Sequence, residues 1–145
     1  MEFRRLTSAD LRSLPELYEQ LDTDNQCSAE QSERVWKEIE ADENVQYFGA
    51  VHDGKVVSTC YAVHIPNLTH KGRGICFVEN VVTDKAYRRL GLASRVLDMA
   101  ITFAKEHHCY KVILQSGSDR TEAHLLYENK GFDGRSKKAF DLRLN

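Results

Sequence analysis

The stretch that decides the fold covers residues 75–94 and reads ICFVENVVTDKAYRRLGLAS. Its first nine residues are almost continuously apolar, which is typical of a central strand covered on both faces, although Glu79 and Asn80 interrupt the run. Two arginines and Gly91 follow, and the apolar periodicity of a helix starts at Leu92. Because a helix start presents unpartnered backbone N–H groups and the positive end of a dipole, this junction predicts a phosphate-binding turn.

Hydrophobic periodicity on either side of this stretch predicts further strands and helices. The predicted strands cover residues 2–6, 45–50, 55–65, 75–83, 110–115 and 139–144, and the predicted helices start near Ser13 and cover 28–41, 92–107 and 119–130. A polar loop is predicted at 22–26, and Asp53-Gly54 is typical of a hairpin turn. Antiparallel strands followed by a β-α-β unit predict an α/β chain of the α+β type, in which helices lie on the faces of a mixed sheet.

The composition is that of one globular domain, which we assign to residues 1–145. The 145-residue chain has 20 basic and 22 acidic side chains, and its net charge of −2 gives no field that would attract nucleic acid. The N-terminal residues lack the apolar core of a signal peptide, and no apolar run approaches the roughly 18 residues that span a bilayer. We therefore expect a cytoplasmic protein with no membrane partner and no nucleic-acid partner.

The four cysteines and six histidines are spaced too irregularly for a metal site. No C-x-x-C, H-x₃-H or H-E-x-x-H pattern occurs, so we expect no metal. Cys60 and Cys76 lie in apolar runs and are predicted to be small core residues with free thiols.

Two motifs give the chain a resemblance to a known family. Residues 88–93, RRLGLA, match the [Q/R]-x-x-G-x-[G/A] cofactor motif of the GNAT superfamily of acetyl-CoA-dependent N-acetyltransferases. Residues 123–132, AHLLYENKGF, resemble the second family motif, A-x-x-L-Y-x-K-x-G-F. They depart from it because Asn129 stands before Lys130. The resemblance implies a GNAT-like acyl-CoA N-acyltransferase fold, with a mostly antiparallel central sheet flanked by about four helices, and acetyl-CoA as the co-substrate.

The same resemblance implies how the chain holds its co-substrate. The backbone of the strand before the turn would pair with the pantetheine arm, and the amides after it would hold the pyrophosphate. The implied cofactor-binding residues are Val81, Val82, Thr83, Arg88, Arg89, Leu90, Gly91, Leu92, Ala93, Ser94, Arg120 and Lys130. Arg120 stands where many family members have an asparagine, which is a departure from the family pattern.

Two residues are predicted to move protons. The resemblance implies that Tyr127 lies beside the thioester sulfur, where its phenol would protonate the leaving thiolate as general acid. Glu79 is the candidate base for the acceptor ammonium, because burial in an apolar strand would raise the pKa of its carboxyl group into a useful range. His64, His70 and His124 are the alternative bases.

The predicted function is direct transfer of the acetyl group of acetyl-CoA to a primary amine of a small molecule. An acyl-enzyme on Cys76 or Cys109 is disfavoured, because no base is visibly paired with either thiol. Peptide or protein N-acetylation is one alternative, and a non-catalytic acyl-CoA-binding module is another.

The acceptor is only partly indicated by the residues. The strand at 109–114 and residues 79–82 are locally similar to eukaryotic glucosamine-6-phosphate N-acetyltransferases, so an amino-sugar phosphate is one option. Lys71, Arg73 and Arg135 would favour an anionic acceptor. A homodimer is a further expectation, since the predicted strand at 139–144 could pair with that of a second copy.

Overall fold

A computed structural model of the chain describes residues 1–22 and 27–145, which form five strands and four α-helices. The strands are β1 (Glu2–Arg5), β2 (Val45–His52), β3 (Lys55–Ile65), β4 (Ile75–Thr83) and β5 (Lys111–Leu114). The helices are α1 (Leu14–Glu19), α2 (Ala29–Ala41), α3 (Leu92–Glu106) and α4 (Thr121–Asn129), and 3₁₀ turns lie at Ser8–Ser13, His70–Gly72 and Lys85–Tyr87. Apart from Asp22, the loop predicted at 22–26 lies outside the described residues.

The chain divides into two compact units, Met1–Ile113 and Leu114–Asn145. The first unit contains β1 to β4, α1 to α3 and most of β5, and the second contains α4 and the C-terminal residues. Within the described ranges, no helix combines the length and the apolar character that crossing a bilayer requires.

The five strands form one sheet in the order β1-β2-β3-β4-β5. The pairs β1–β2, β2–β3 and β3–β4 are all antiparallel. Asp53 and Gly54 have φ values of +49° and +76°, the two left-handed residues that a type I′ hairpin requires, so the predicted turn between β2 and β3 is confirmed. The mixed α/β architecture with a mostly antiparallel sheet confirms the predicted fold class.

Helix α3 covers one face of the sheet and packs against β2, β3 and β4. Its residues Val96, Leu97 and Ala100 are fully buried. Phe103 meets Phe48 of β2 edge-on, with ring centroids 6.0 Å apart. Because this packing anchors α3 along most of its length, its first turn has a fixed position relative to the end of β4.

Helices α1 and α2 cover part of the opposite face. Leu14 and Leu17 of α1 and Trp36 of α2 join Val56 and Val82 of the sheet in one buried cluster. Burial of a leucine or valine side chain contributes about 1.5–3 kcal/mol, so this cluster holds both helices on the sheet.

An ion pair between a buried aspartate and a partly exposed arginine fixes the chain between β1 and α1. Asp10 is 4% exposed, and its two carboxylate oxygens accept hydrogen bonds from the Arg4 guanidinium at 2.7 and 2.8 Å. The backbone N–H of Thr7 donates to the same carboxylate at 2.7 Å. The hydrogen bonds from Arg4 hold the pKa of Asp10 below its ordinary value, so the carboxylate stays charged at neutral pH.

Helix α4 is the main element of the second unit. The helix ends before Gly131, whose φ of +93° is the left-handed conformation that glycine adopts most easily. The N–H of Phe132 then donates to the carbonyl of Tyr127 at 3.0 Å. The predicted end of this helix at Gly131 is confirmed.

Within a single chain, the strand predicted at 139–144 is wrong. Residues 132–145 form neither helix nor strand, and the apolar side chains of Phe140, Leu142 and Leu144 are 84%, 85% and 87% exposed. An alternating pattern favours a strand only where a neighbouring strand supplies hydrogen bonds. No strand in the described part of the chain pairs with this segment.

Candidate active site

An extra residue in β4 sets the geometry of the site. Glu79 lies opposite Tyr61 and Val82 lies opposite Thr59, so at this point β4 has one residue more than β3. Asn80, inside this bulge, has a left-handed φ of +51°. Residues three apart in a regular strand face opposite sides of a sheet, and the bulge instead brings Glu79 and Val82 to the same side.

Beyond this bulge, no strand in the described part of the chain lies along one side of β4. The N–H of Tyr110, just before β5, donates to the carbonyl of Gly74, just before β4, at 2.9 Å, so the two strands start side by side. β5 has four residues and β4 has nine, so more than half of β4 lacks a partner there among the described strands. Backbone groups at 79–83 can therefore bind another extended chain.

The backbone between β4 and α3 forms a concave turn. Asp84 accepts a hydrogen bond from the N–H of Ala86 at 2.9 Å and so begins the 3₁₀ turn Lys85–Tyr87. Arg89 and Gly91 then have φ values of +64° and +73°. Left-handed residues in such a turn make successive N–H groups converge, and the resulting concavity binds anions.

The N-cap position of α3 supplies no side-chain acceptor for the N–H groups of the first turn. Gly91 is the N-cap residue, and the first hydrogen bond of the helix runs from the N–H of Arg95 to the Gly91 carbonyl at 3.2 Å. The N–H groups of Leu92, Ala93 and Ser94 therefore have no partner within the helix. A Cβ placed on Gly91 would meet no described atom within 4 Å, so a bulky anion has room to approach.

Arginine side chains stand at the same turn. The Nε of Arg88 donates to the Thr83 carbonyl at 3.2 Å, and both Arg88 and Arg89 are exposed. Leu90 is also exposed, whereas Leu92 is buried and anchors the helix. The structure thus brings the predicted residues 81–83 and 88–94 together in one continuous segment, and their donors and charges fit a pyrophosphate.

Glu79 is half-buried beside a group of aromatic rings. Its cross-strand partner Tyr61 stacks on Tyr47, with ring centroids 4.7 Å apart and ring planes inclined by 16°. Trp36 meets Tyr47 edge-on at 5.4 Å. Burial raises the pKa of Tyr61, and the charge of Glu79 raises it further, so this phenol is neutral.

The aromatic group borders a cavity of about 300 Å³ between α1, α2 and the sheet. Tyr18, Trp36 and Tyr47 line this cavity, and Asn80 of the bulge contributes to its wall. In the sequence, Tyr18 and Trp36 stand at apolar positions of two predicted helices, which indicates packing and nothing more. Their role in a cavity depends on how those helices cross the sheet. The hydrophobic periodicity of the sequence carries no signal for that crossing.

Tyr127, Arg120 and Lys130 lie on the second unit. Tyr127 is in α4 and is 6% exposed, and its ring meets that of Phe132 edge-on at 6.1 Å. Arg120 is the exposed N-cap residue of α4, and Lys130 is half-buried directly after its last turn. The candidate acid therefore lies in the second unit and the candidate base, Glu79, in the first.

The three alternative bases make other contacts. The Nδ1 of His64 donates to the amide oxygen of Asn44 at 2.7 Å, and burial lowers the pKa of this histidine. The ring of His70 stacks on Tyr110 at 3.7 Å, and the Nε2 of His124 donates to a backbone carbonyl at 2.8 Å. These contacts give each histidine a structural role, and Glu79 remains our candidate base.

The cysteine thiols are poor nucleophiles. Burial raises the pKa of Cys76 to about 12 and also raises the pKa of Cys109. Both thiols are therefore neutral near pH 7, whereas the nucleophile is the thiolate. Among residues 1–22 and 27–145, no group of three or more His, Cys, Asp or Glu side chains could hold a metal ion.

Residues 10–132 match the Acetyltransferase (GNAT) family, which is most of the chain. Among named proteins, the glucosamine 6-phosphate N-acetyltransferase of Trypanosoma brucei brucei is 34% identical over 80 residues. These residues are 54% of this chain and 52% of that protein, so the chain spans about half the length of the curated relative it matches.

Solved structures agree with this match. A candidate acetyltransferase from Agrobacterium tumefaciens str. C58 has a TM-score of 0.92 and 33% identity, over 99% of this chain and 100% of that one. A transcriptional regulator from Bacillus halodurans C-125 has a TM-score of 0.90 and 26% identity, over 99% of both chains. With the bulged strand, the uncapped helix start and both motifs in place, the chain belongs to the GNAT family of acetyltransferases.

Proposed function

We propose that residues 1–145 form one N-acetyltransferase domain that transfers the acetyl group of acetyl-CoA directly to a primary amine of a small molecule, in a ternary complex. The observation that carries the proposal is the segment 79–94, where a bulged strand without a partner on one side leads into an uncapped helix start. An extended amide-containing arm suits the strand, and a pyrophosphate suits the helix start.

The residues that would hold acetyl-CoA follow from this segment. The backbone of Val81, Val82 and Thr83 would bind the pantetheine arm in the manner of an added strand. The N–H groups of residues 89–94 and the charges of Arg88 and Arg89 would hold the pyrophosphate. Arg120 and Lys130 are proposed as further contacts, on the basis of the second family motif.

Acetyl-CoA supplies the acetyl group as a thioester, which a neutral amine attacks at the carbonyl carbon. Glu79 accepts the proton that the acceptor ammonium loses. As the new C–N bond forms and the C–S bond breaks, Tyr127 donates its phenolic proton to the sulfur. The neutral thiol of Cys76 favours this direct transfer over an acyl-enzyme.

A small-molecule acceptor is favoured over a peptide because the aromatic cavity beside Asn80 has a volume of about 300 Å³, which is the scale of a small ligand. We also propose that the enzyme acts in the cytoplasm. Its cysteines are free, including the buried pair Cys60 and Cys76, which suits a reducing compartment.

Gly91→Asp is expected to weaken acetyl-CoA binding about tenfold or more, measured by isothermal titration calorimetry. The new carboxylate would occupy the position of the pyrophosphate and repel it. The fold should persist, because aspartate tolerates the left-handed conformation and is favourable at a helix start. Gly134→Asp, in the exposed C-terminal segment, is the matched control and should bind like the unaltered protein. Equal affinity in all three proteins would contradict the pyrophosphate assignment.

Tyr127→Phe is expected to lower kcat by about 100-fold, because the leaving thiolate loses its proton donor. The Kd for CoA should change by no more than about twofold, since the ring is kept. Release of free CoA thiol at saturating amine measures the rate, and Tyr110→Phe serves as the control. Turnover at the full rate would refute the general-acid role of Tyr127.

Binding of acetyl-CoA by the unaltered protein without transfer to any amine would instead support a non-catalytic acyl-CoA-binding module.

We further propose that the enzyme is a homodimer in which residues 139–144 of one copy add a strand to the other. Phe140, Leu142 and Leu144 alternate with Asp141 and Arg143, so an added strand would bury three large apolar side chains on one face. Light scattering after gel filtration should give twice the 16.6 kDa chain mass. The variant Phe140→Glu/Leu142→Glu should be monomeric and Arg143→Gln dimeric. A monomeric unaltered protein would disprove this assembly.

A further inference from the structure

The cavity between α1, α2 and the sheet is lined mostly by apolar and aromatic side chains. Leu14, Tyr18, Trp36, Ile39 and Tyr47 are in its wall. Its volume of about 300 Å³ is at the lower end of the range for small-molecule pockets. Since each buried methylene group contributes about 0.8 kcal/mol, such a wall favours a ligand with an apolar body.

This cavity reaches the candidate base through two neighbours. Asn80 lines it and follows Glu79 directly in the bulge of β4. Tyr47 also lines it and stacks on Tyr61, which lies opposite Glu79 across the two strands. These two neighbours place Glu79 on the cavity side of the sheet, so the nitrogen of an amine bound in the cavity can approach its carboxylate.

The described residues of the cavity wall include an acidic side chain and no cation. Asp22 lines the cavity, and no Lys, Arg or His among the described residues does. Lys71, Arg73 and Arg135, the cations that would favour an anionic acceptor, are not in the wall, and the Arg73 guanidinium donates to the Cys109 carbonyl at 3.0 Å. Binding of a phosphate ester relies on such cations, whereas carboxylates and aromatic faces both attract an ammonium group.

Tyr18 supplies an independent observation. Its hydroxyl oxygen is buried and has no hydrogen-bond partner within the part of the chain that the structure describes. A buried hydroxyl without a partner costs about 1–3 kcal/mol, so a polar group on a bound ligand would be stabilised there. Because burial also raises the pKa of Tyr18, the hydroxyl is a neutral phenol that can accept a hydrogen bond from an ammonium.

We propose that the acceptor is a primary amine carried on an apolar aliphatic or aromatic body, bound in this cavity with its nitrogen near Glu79 and Tyr18. The inference rests on the proposed function and deepens it by naming the substrate class. It distinguishes this chain from the Trypanosoma brucei brucei relative, whose name specifies a phosphorylated amino sugar.

Trp36 gives a direct readout of the cavity, because it is the only tryptophan of the chain and lines the wall. Hexylamine, 2-phenylethylamine and glucosamine 6-phosphate are titrated against its fluorescence in the presence of CoA. The two apolar amines are expected to bind with a Kd at least about tenfold lower than that of the sugar phosphate. Their kcat/KM for acetyl transfer is expected to follow the same order. Tighter binding and faster acetylation of glucosamine 6-phosphate would overturn the proposal.

Val35 allows a test of the charge argument without a large change to the core. It lines the cavity and is 41% exposed, so a longer side chain can be accommodated. Val35→Lys adds a cation to the wall, and Val35→Met adds similar length without charge. The lysine variant is expected to raise the Kd of hexylamine about tenfold, and the methionine variant to change it by less than about threefold. Equal Kd values in the two variants would overturn the proposal.

The outcomes separate this inference from the proposed function. Acetylation of glucosamine 6-phosphate in preference to the apolar amines would reject the substrate class and leave the N-acetyltransferase proposal standing. Failure to bind acetyl-CoA, together with no acetylation of any of the three amines, would reject both.

Discussion

One extra residue in β4 determines which side chains of this strand lie on the cavity side of the sheet. Because Asn80 adopts a left-handed conformation, Glu79 and Val82 face the same side of the sheet. Val82 joins the buried core there, and Glu79 stands beside the aromatic rings. In a regular strand, either the core residue or the carboxylate would face α3 instead. The position of the candidate base therefore depends on the bulge.

Helix α3 holds the turn that follows the bulged strand in a fixed position. The buried side chains of α3 hold the helix on the face of the sheet opposite to α1 and α2. Its first turn therefore cannot move away from the end of β4. The strand, the turn at Arg89 and Gly91, and the helix start then form one continuous surface of backbone donors. Backbone donors held by a rigid scaffold need little reorganisation to bind a charged group. Neutral buried groups such as the Cys76 thiol add no competing charge near the strand.

Local chemistry explains what could be predicted from the sequence. The hairpin at Asp53-Gly54, the buried strand 75–83, the helix that starts at Leu92 and the phosphate-binding turn each follow from residues adjacent in the chain. The bulge was signalled only by Glu79 and Asn80 in an apolar run. The cavity depends on how α1 and α2 cross the sheet, which periodicity does not encode. The prediction of a strand at 139–144 is wrong for the single chain, because alternating apolar and polar residues favour a strand but supply no partner for it to pair with.

Residue-resolved amide hydrogen exchange, with and without CoA, tests the central claim most directly. If the bulged strand and the helix start bind the cofactor, CoA should slow exchange at the amides of residues 79–83 and 91–94 together. CoA binding that leaves both of these segments unprotected, and slows exchange elsewhere in the chain, would contradict the account.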